Sequence, residues 1–249
     1  MTEDFFTNII HSNKNLSEIE EHLREKVKVL EKITKESFDR FDLETFITLI
    51  VDLANNEYKT IFQKNYPDLE NISKEDLQNI KLMTYGYIRQ KLEGINSEVV
   101  TYLSPLQGLI GKNNSLNIFT LNYDGTIEAL CEKHAISYSD GFTPYWDPNI
   151  FNDPNIKVKI LKLHGSLYWL KSASGKIIRV PLKGLEIGNV KYFLDESLSE
   201  MMIYPALRKE KYSEVYSWLS SKFISELNNS ELCIIIGYSF RDKDIRYSD

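Results

Sequence analysis

KILKLHGSLYW, residues Lys159 to Trp169, is the stretch of sequence from which the fold can be predicted. The apolar run Ile160 to Leu163 predicts a strand, and this strand carries a lone histidine, His164, into a turn that contains a glycine. A second strand-like run follows the turn. Loops that are held by rigid strands are common positions for reactive side chains, so His164 is a candidate functional residue.

Two further stretches have the same form. The strand-like run Leu116 to Leu121 ends in NYDG, residues 122–125, and the apolar run Leu232 to Ile236 ends in GYS, residues 237–239. Strands that alternate with helices predict a mostly parallel sheet with helices on both faces. Ligands bind beyond the carboxyl ends of the strands in such a sheet. The sequence therefore predicts an α/β, Rossmann-like fold in which three strand ends meet at one crevice.

The first 111 residues are predicted to be mainly helical, as an insertion or small subdomain, and residues 112–249 to form the Rossmann-like portion of a single domain. Ser17 with Glu20 and Ser73 with Asp76 have the spacing of capping boxes at helix starts. Apolar residues at helical spacing follow each pair. The remaining predicted elements are a helix after Asp42, a helix over 99–110 with Pro105 in its early turns, a helix over 126–133, a strand over 136–138, a hairpin of 167–170 with 176–180, a strand over 201–204 and a helix over 212–227.

Composition excludes several classes of partner and of site. The net charge of -6 gives no electrostatic reason to expect nucleic acid or an anionic membrane, and the lysines alternate with acids as on solvated faces. No apolar run approaches the length of a membrane span, and the N-terminus lacks a secretory pattern, which predicts a cytoplasmic protein. The two cysteines, Cys131 and Cys233, are too few for a four-cysteine zinc module, and both are expected to be small buried residues.

Each candidate residue also has an ordinary structural interpretation. Asp124 lies just before a predicted helix and is equally consistent with a helix cap. His164 could be a structural histidine, and residues 237–239 could be a plain turn after a strand. Asn122 is harder to explain by folding alone, because the strand end does not require an amide there.

Five segments together resemble the sirtuin superfamily, and more specifically the sirtuin-like domains of bacterial NAD-degrading defence proteins. Their order and spacing agree over about residues 40 to 245. The segments are FDLETFITLI (Phe41 to Ile50), TLNYD (Thr120 to Asp124), KLHGSLYW (Lys162 to Trp169), MIYPA (Met202 to Ala206) and GYSFRDKDI (Gly237 to Ile245).

The resemblance implies a Rossmann-like NAD-binding domain with a smaller helical insertion, and NAD as the substrate. It assigns catalysis to His164, as general base near the ribose hydroxyls, and to Asn122, which contacts the nicotinamide ribose or orients water. It also implies a homo-oligomer, or an effector domain that is fused or supplied by a partner. The residues that it assigns to NAD binding are Leu121, Tyr123, Asp124, Gly237, Tyr238 and Ser239.

The sequence departs from the family pattern at both ends. No glycine precedes Gly86, so the family's first strand and its glycine-rich phosphate loop are missing, and the chain stops soon after GYSFRD. These departures predict a shortened or degenerate member. Three hypotheses remain open: an NAD+ hydrolase of anti-phage defence without zinc, a truncated or degenerate module without turnover, and an NAD-dependent protein deacylase.

Overall fold

The computed structural model describes residues 17–38, 43–54, 56–92, 99–112, 115–143, 145–172, 174–179, 198–202 and 214–238. The elements in these ranges belong to two compact units. Those up to Leu92 form the first unit, and those from Val99 onward form the second.

The described part of the first unit is helical, as its sequence predicts. Its elements are α1 (Ser17–Ser37), α2 (Leu43–Ala54), α3 (Asn56–Asn65), a 3-10 helix (Pro67–Asn71) and α4 (Lys74–Leu92). The apolar stripes of these helices meet in one core, because helical spacing places residues three and four apart on one face. The buried residues of this core are Leu23, Val27, Leu30, Ile33, Phe46, Leu49, Ile50, Leu53, Leu69, Ile72, Leu77 and Ile80.

A capping box starts α4, as predicted. The backbone N–H of Asp76 donates to Ser73 Oγ at 3.0 Å, and the backbone N–H of Ser73 donates to Asp76 Oδ2 at 2.7 Å. Lys26 of α1 also donates to this carboxylate oxygen at 2.5 Å. Burial raises the pKa of Asp76, but the hydrogen bonds from Lys26 and Ser73 outweigh burial and lower the pKa to about 2.

The stability of the first unit is therefore expected to fall in acid. The folded-state pKa of Asp76 lies below its unfolded value, so its contribution is complete above about pH 4 and is lost as the pH falls toward 2. A shift of this size corresponds to about 2 kcal/mol. Urea unfolding of the parent and of Asp76→Asn, followed by far-UV circular dichroism, checks it. The difference in unfolding free energy should shrink from pH 5 to pH 2, and a constant difference would contradict it.

The second unit contains the predicted parallel sheet. Its strands are β1 (Leu116–Thr120), β2 (Tyr138–Ser139) and β3 (Val158–Lys162), in the order β1-β3-β2. All pairs are parallel, and β1 is aligned with β3 from Leu116 opposite Val158 to Thr120 opposite Lys162. The prediction of β1 and β3 is confirmed, while β2 begins two residues later than the predicted strand over 136–138.

Helices cover both faces of β1. On one face, Phe119 contacts Phe223 of α7 (Glu214–Asn229) with ring centroids 5.1 Å apart. On the other, Leu116 and Ile118 pack on a core formed by α5 (Pro105–Lys112), α6 (Thr126–Lys133) and β3. The buried residues of that core are Ile110, Cys131, Val158 and Ile160. The α/β fold class with helices flanking a parallel sheet is thus confirmed.

The helix predicted over 99–110 is divided in the structure. A 3-10 helix covers Val99–Leu103, and α5 begins at Pro105. Proline has no N–H and its ring clashes with the preceding turn, so it is tolerated at the first position of a helix but not inside one. Pro105 therefore starts a new helix.

An antiparallel sheet follows β3. Its strands are β4 (Gly165–Ser172), β5 (Ile177–Arg179) and β6 (Leu198–Met202), in the order β5-β4-β6. The predicted hairpin is confirmed as β4 and β5, with Gly175 at φ +82 in the turn. Beside this sheet, Trp146 lies 6.1 Å from Trp169 and 5.7 Å from Trp218 between ring centroids. All three tryptophans of the chain thus lie in one cluster of the second unit.

The prediction of a buried strand over Leu232–Ile236 is wrong. The structure assigns this run no strand, and the exposed fractions of Leu232 and Ile236 are 76% and 71%. Cys233 is exposed as well, so the expected burial of the cysteines holds only for Cys131. β-branched residues form a strand only where a neighbouring strand pairs with them, and no described strand pairs with this run.

Substitution of Ile236 is therefore expected to cost little stability. Ile236→Ala should change the unfolding free energy by less than about 0.5 kcal/mol. The same change at Ile160, which is fully buried in β3, should cost roughly 2–5 kcal/mol. Urea unfolding followed by tryptophan fluorescence measures both, because the tryptophans lie in this unit. Equal losses at the two positions would show that Ile236 is packed in solution.

Candidate active site

Two of the three predicted strand ends lie side by side. Thr120 and Lys162 are the last aligned pair of β1 and β3, and the backbone N–H of Leu163 donates to the carbonyl of Thr120 at 2.9 Å. Because the two strands are parallel, the loop over 121–125 and the turn over 163–165 leave the sheet at its carboxyl edge. This edge is where open α/β sheets bind ligands.

Tyr123 joins the loop to the turn. Its carbonyl accepts hydrogen bonds from the backbone N–H of Leu167 at 3.1 Å and from Ser166 Oγ at 3.3 Å. Its ring stacks on the imidazole of His164, with centroids 6.3 Å apart and planes 29° apart. The loop that carries Asn122 and the turn that carries His164 are thus held together by both backbone and side-chain contacts.

The two candidate catalytic residues differ in exposure. His164 is 9% exposed, and Gly165 follows it at φ +82, a conformation that strongly favours glycine. Asn122 is exposed, and its backbone N–H donates to Thr120 Oγ1 at 3.1 Å, which fixes the start of the loop. Leu121 before it is half-buried. The loop therefore offers an amide to solvent beside a nearly buried imidazole.

Asp124 lies one residue before the N-cap of α6, which is Gly125 and has no side-chain cap hydrogen bond. Asp124 Oδ1 accepts a hydrogen bond from the backbone N–H of Thr126 at 3.0 Å and another from Thr126 Oγ1. Asp124 therefore stabilises the turn that starts the helix, although it is not the N-cap residue itself. Its assignment to NAD binding stays a prediction.

The third predicted strand end has a different environment. Gly237 is exposed and has φ +67, Tyr238 is half-buried, and Ser239 lies outside the described residues, as do MIYPA after Met202 and RDKDI of the last segment. The run before Gly237 is not a strand, so the argument that brought residues 237–239 to the crevice no longer holds. Their role in binding stays a prediction.

The family model of the SIR2-like domain matches residues 116–248, just over half of the chain. The chain belongs to the SIR2-like domain family. The resemblance to sirtuin-like domains predicted from the sequence is thereby confirmed. SIR2-like domains bind NAD, and the matched range contains β1, β3 and both loops described above. No curated protein matches the chain.

Among the described residues of this SIR2-like chain, every helix is too short or too polar to span a membrane. No group of three or more histidine, cysteine, aspartate or glutamate side chains in these residues is arranged to hold a metal ion.

Sequence reasoning missed a buried ion pair beneath the loop over 121–125. Lys162 is the last residue of β3, and Glu128 lies in the first turn of α6. The distance from Lys162 Nζ to Glu128 Oε1 is 3.0 Å, and each side chain is 1% exposed. The interpretation of the lysines as solvated is wrong for Lys162. Burial raises the pKa of Glu128, and the ammonium of Lys162 lowers it in part. The one available signal was a lysine inside the otherwise apolar run of 160–163.

A second ion pair, in which only the acid is buried, lies beyond β2. Asp140, which is 1% exposed, accepts a hydrogen bond from Trp169 Nε1 at 3.0 Å and pairs with Arg179 Nε at 3.2 Å. It thereby joins the end of β2 to β4 and β5. This contact fixes the antiparallel sheet against the parallel one in the same unit.

Proposed function

We propose that this SIR2-like chain hydrolyses NAD+ at the bond between nicotinamide and ribose. Asn122 and His164 act at the reacting centre. The observation that carries this proposal is the junction of their two loops, through Tyr123, at the carboxyl edge of adjacent parallel strands. The membership of the family supports NAD as the ligand.

The reaction needs a group that accepts a proton near neutral pH. The C1′–N bond breaks, its electron pair stays on the pyridine nitrogen, and nicotinamide leaves as a neutral molecule. Water then attacks C1′ of the oxocarbenium-like ribose, and its proton passes to His164. Imidazoles as a class titrate near neutrality and serve this role without a metal. The products are ADP-ribose, nicotinamide and one proton.

Asn122 orients the attacking water in this scheme. A carboxamide carries an acceptor oxygen and a donor N–H2 group, so it can hold a water molecule in one orientation. The exposure of Asn122 at the strand end supports this role, because a ligand at the edge of the sheet can reach the side chain.

The proposed contacts differ among the three parts of NAD+. Leu121, Tyr123 and Asp124 surround the nicotinamide ribose in the proposal, and Gly237, Tyr238 and Ser239 contact the adenosine side. The usual cradle of the pyrophosphate consists of glycine amides at a helix N-terminus, and no glycine precedes Gly86 in this sequence.

The cysteine content favours hydrolysis over protein deacylation. The deacylase branch of the family uses a four-cysteine zinc module beside the peptide cleft, and Cys131 and Cys233 are the only cysteines here. The resemblance of the sequence segments supports a role in bacterial anti-phage defence. An oligomer, or an effector domain, would then control the activity.

A module without turnover is the second candidate. The lack of any glycine in the first 85 residues favours it, since the family's phosphate loop depends on glycine. In this case the chain keeps the fold and acts through interaction alone.

Incubation of the purified chain with NAD+ separates these candidates. Chromatography should show nicotinamide and ADP-ribose in equal amounts. No release of nicotinamide would favour the module without turnover. Release that depends on an acyl-lysine peptide, with transfer of the acyl group, would favour the deacylase.

A further inference from the structure

Lys162 links three parts of the candidate site through one ammonium group. It is the last residue of β3, its Nζ is 3.0 Å from Glu128 Oε1 on α6, and it donates a hydrogen bond to the backbone carbonyl of Asp124. Strand, helix and the loop that carries Asn122 therefore meet at this ammonium. His164 follows only two residues later.

Burial of this ion pair is not explained by stability. Both side chains are 1% exposed, so each charge has lost its water. Replacing such a pair by apolar residues of similar volume is often neutral or stabilising. Placement of the loop over 121–125 would explain why Lys162 and Glu128 are buried as a charged pair.

The contacts of the loop define what Lys162 adds. The carbonyl of Tyr123 is held by β4, and the carboxylate of Asp124 is held by Thr126 at the start of α6. The bond from Lys162 holds the carbonyl of Asp124. Loss of this bond leaves the turn at the start of α6 in place but releases the backbone two residues after Asn122.

We propose that Lys162 is a positioning residue for the cleavage of NAD+. Its ammonium holds the Asn122 loop at the distance from His164 that the reaction requires, and Glu128 keeps the ammonium in place. This inference rests on the function proposed above. Small displacements of a positioned group can lower a rate by about 10²-fold.

Three variants separate positioning from stability. Lys162→Met leaves Glu128 buried without its partner and should lower the melting temperature by roughly 10 °C. The double variant Lys162→Met with Glu128→Met replaces the pair by apolar residues and should recover most of that loss. The exposed Lys133→Met on α6 is the control and should match the parent in stability and rate.

The kinetic result expected for the double variant is a kcat on the order of 10²-fold below the parent. Its KM for NAD+ should change less than kcat, since Lys162 is buried and acts on the ligand only through the loop that it holds. Recovery of both melting temperature and kcat in the double variant would overturn the proposal, because Lys162 would then serve stability alone.

Amide hydrogen exchange provides a readout that does not depend on turnover. In the double variant the peptide that covers residues 121–125 should exchange at least about 10-fold faster than in the parent, while β1 and β3 keep their protection. Unchanged exchange at 121–125 would overturn the positioning role. If the parent releases no nicotinamide, the proposed hydrolysis fails, and hydrogen exchange still decides whether Lys162 holds the loop.

Discussion

Replacement of His164 by alanine is expected to lower kcat for nicotinamide release by about 10²–10⁴-fold, the usual contribution of a positioned general base. The imidazole lies at the carboxyl edge of the sheet and stacks on Tyr123, beside the loop of Asn122. Removal of the ring leaves water to act as the base. His164 is only 9% exposed, so the fold of the variant has to be checked beside its rate.

The control for this experiment is another histidine of the same unit. His134 follows α6 and is exposed, so His134→Ala should release nicotinamide at the rate of the parent. Tryptophan fluorescence of each variant checks that the second unit is folded. Equal release from the parent and from His164→Ala would remove His164 from the mechanism, whereas loss in both variants would point to a folding defect.

The features that could be predicted from the sequence are those set by local pattern. The apolar run of β3 followed by a glycine turn gives a strand and its end without knowledge of the neighbours. The helix of Thr126–Lys133 matches its prediction at both ends, because a local hydrogen bond from the backbone of Thr126 to the side chain of Asp124 forms the turn that starts it. The junction of β1 and β3 then follows from the tendency of strands in alternating α/β chains to lie parallel.

The features that could not be predicted depend on distant partners. Lys162 is buried because Glu128, on another element, supplies the opposite charge, and no local pattern reveals that pairing. Leu232–Ile236 has the composition of a core strand, but composition cannot provide the edge with which a strand must pair. For the same reason, the predicted crevice keeps only two of its three strand ends, those of β1 and β3.

A second large effect is expected at Asp140. Asp140→Ala removes a carboxylate that is 1% exposed and leaves Trp169 Nε1 and the guanidinium of Arg179 without this acceptor. The indole of Trp169 is then buried without its acceptor, whereas Arg179, whose side chain is 22% exposed, keeps its hydrogen bond to Tyr138. The unfolding free energy should fall by about 2–3 kcal/mol.

Asp140→Asn is the matched control, because it keeps the shape and an acceptor oxygen for the indole but removes the charge opposite Arg179. It should cost less than Asp140→Ala. The contribution of the indole can be isolated in the Trp169→Phe background, where loss of Asp140 should cost about 1–3 kcal/mol less than in the parent. Urea unfolding measures all five chains, with fluorescence from Trp146 and Trp218 still present in the Trp169→Phe variants. An equal cost in both backgrounds would show that the bond from Trp169 to Asp140 contributes nothing, and that Asp140 acts through Arg179.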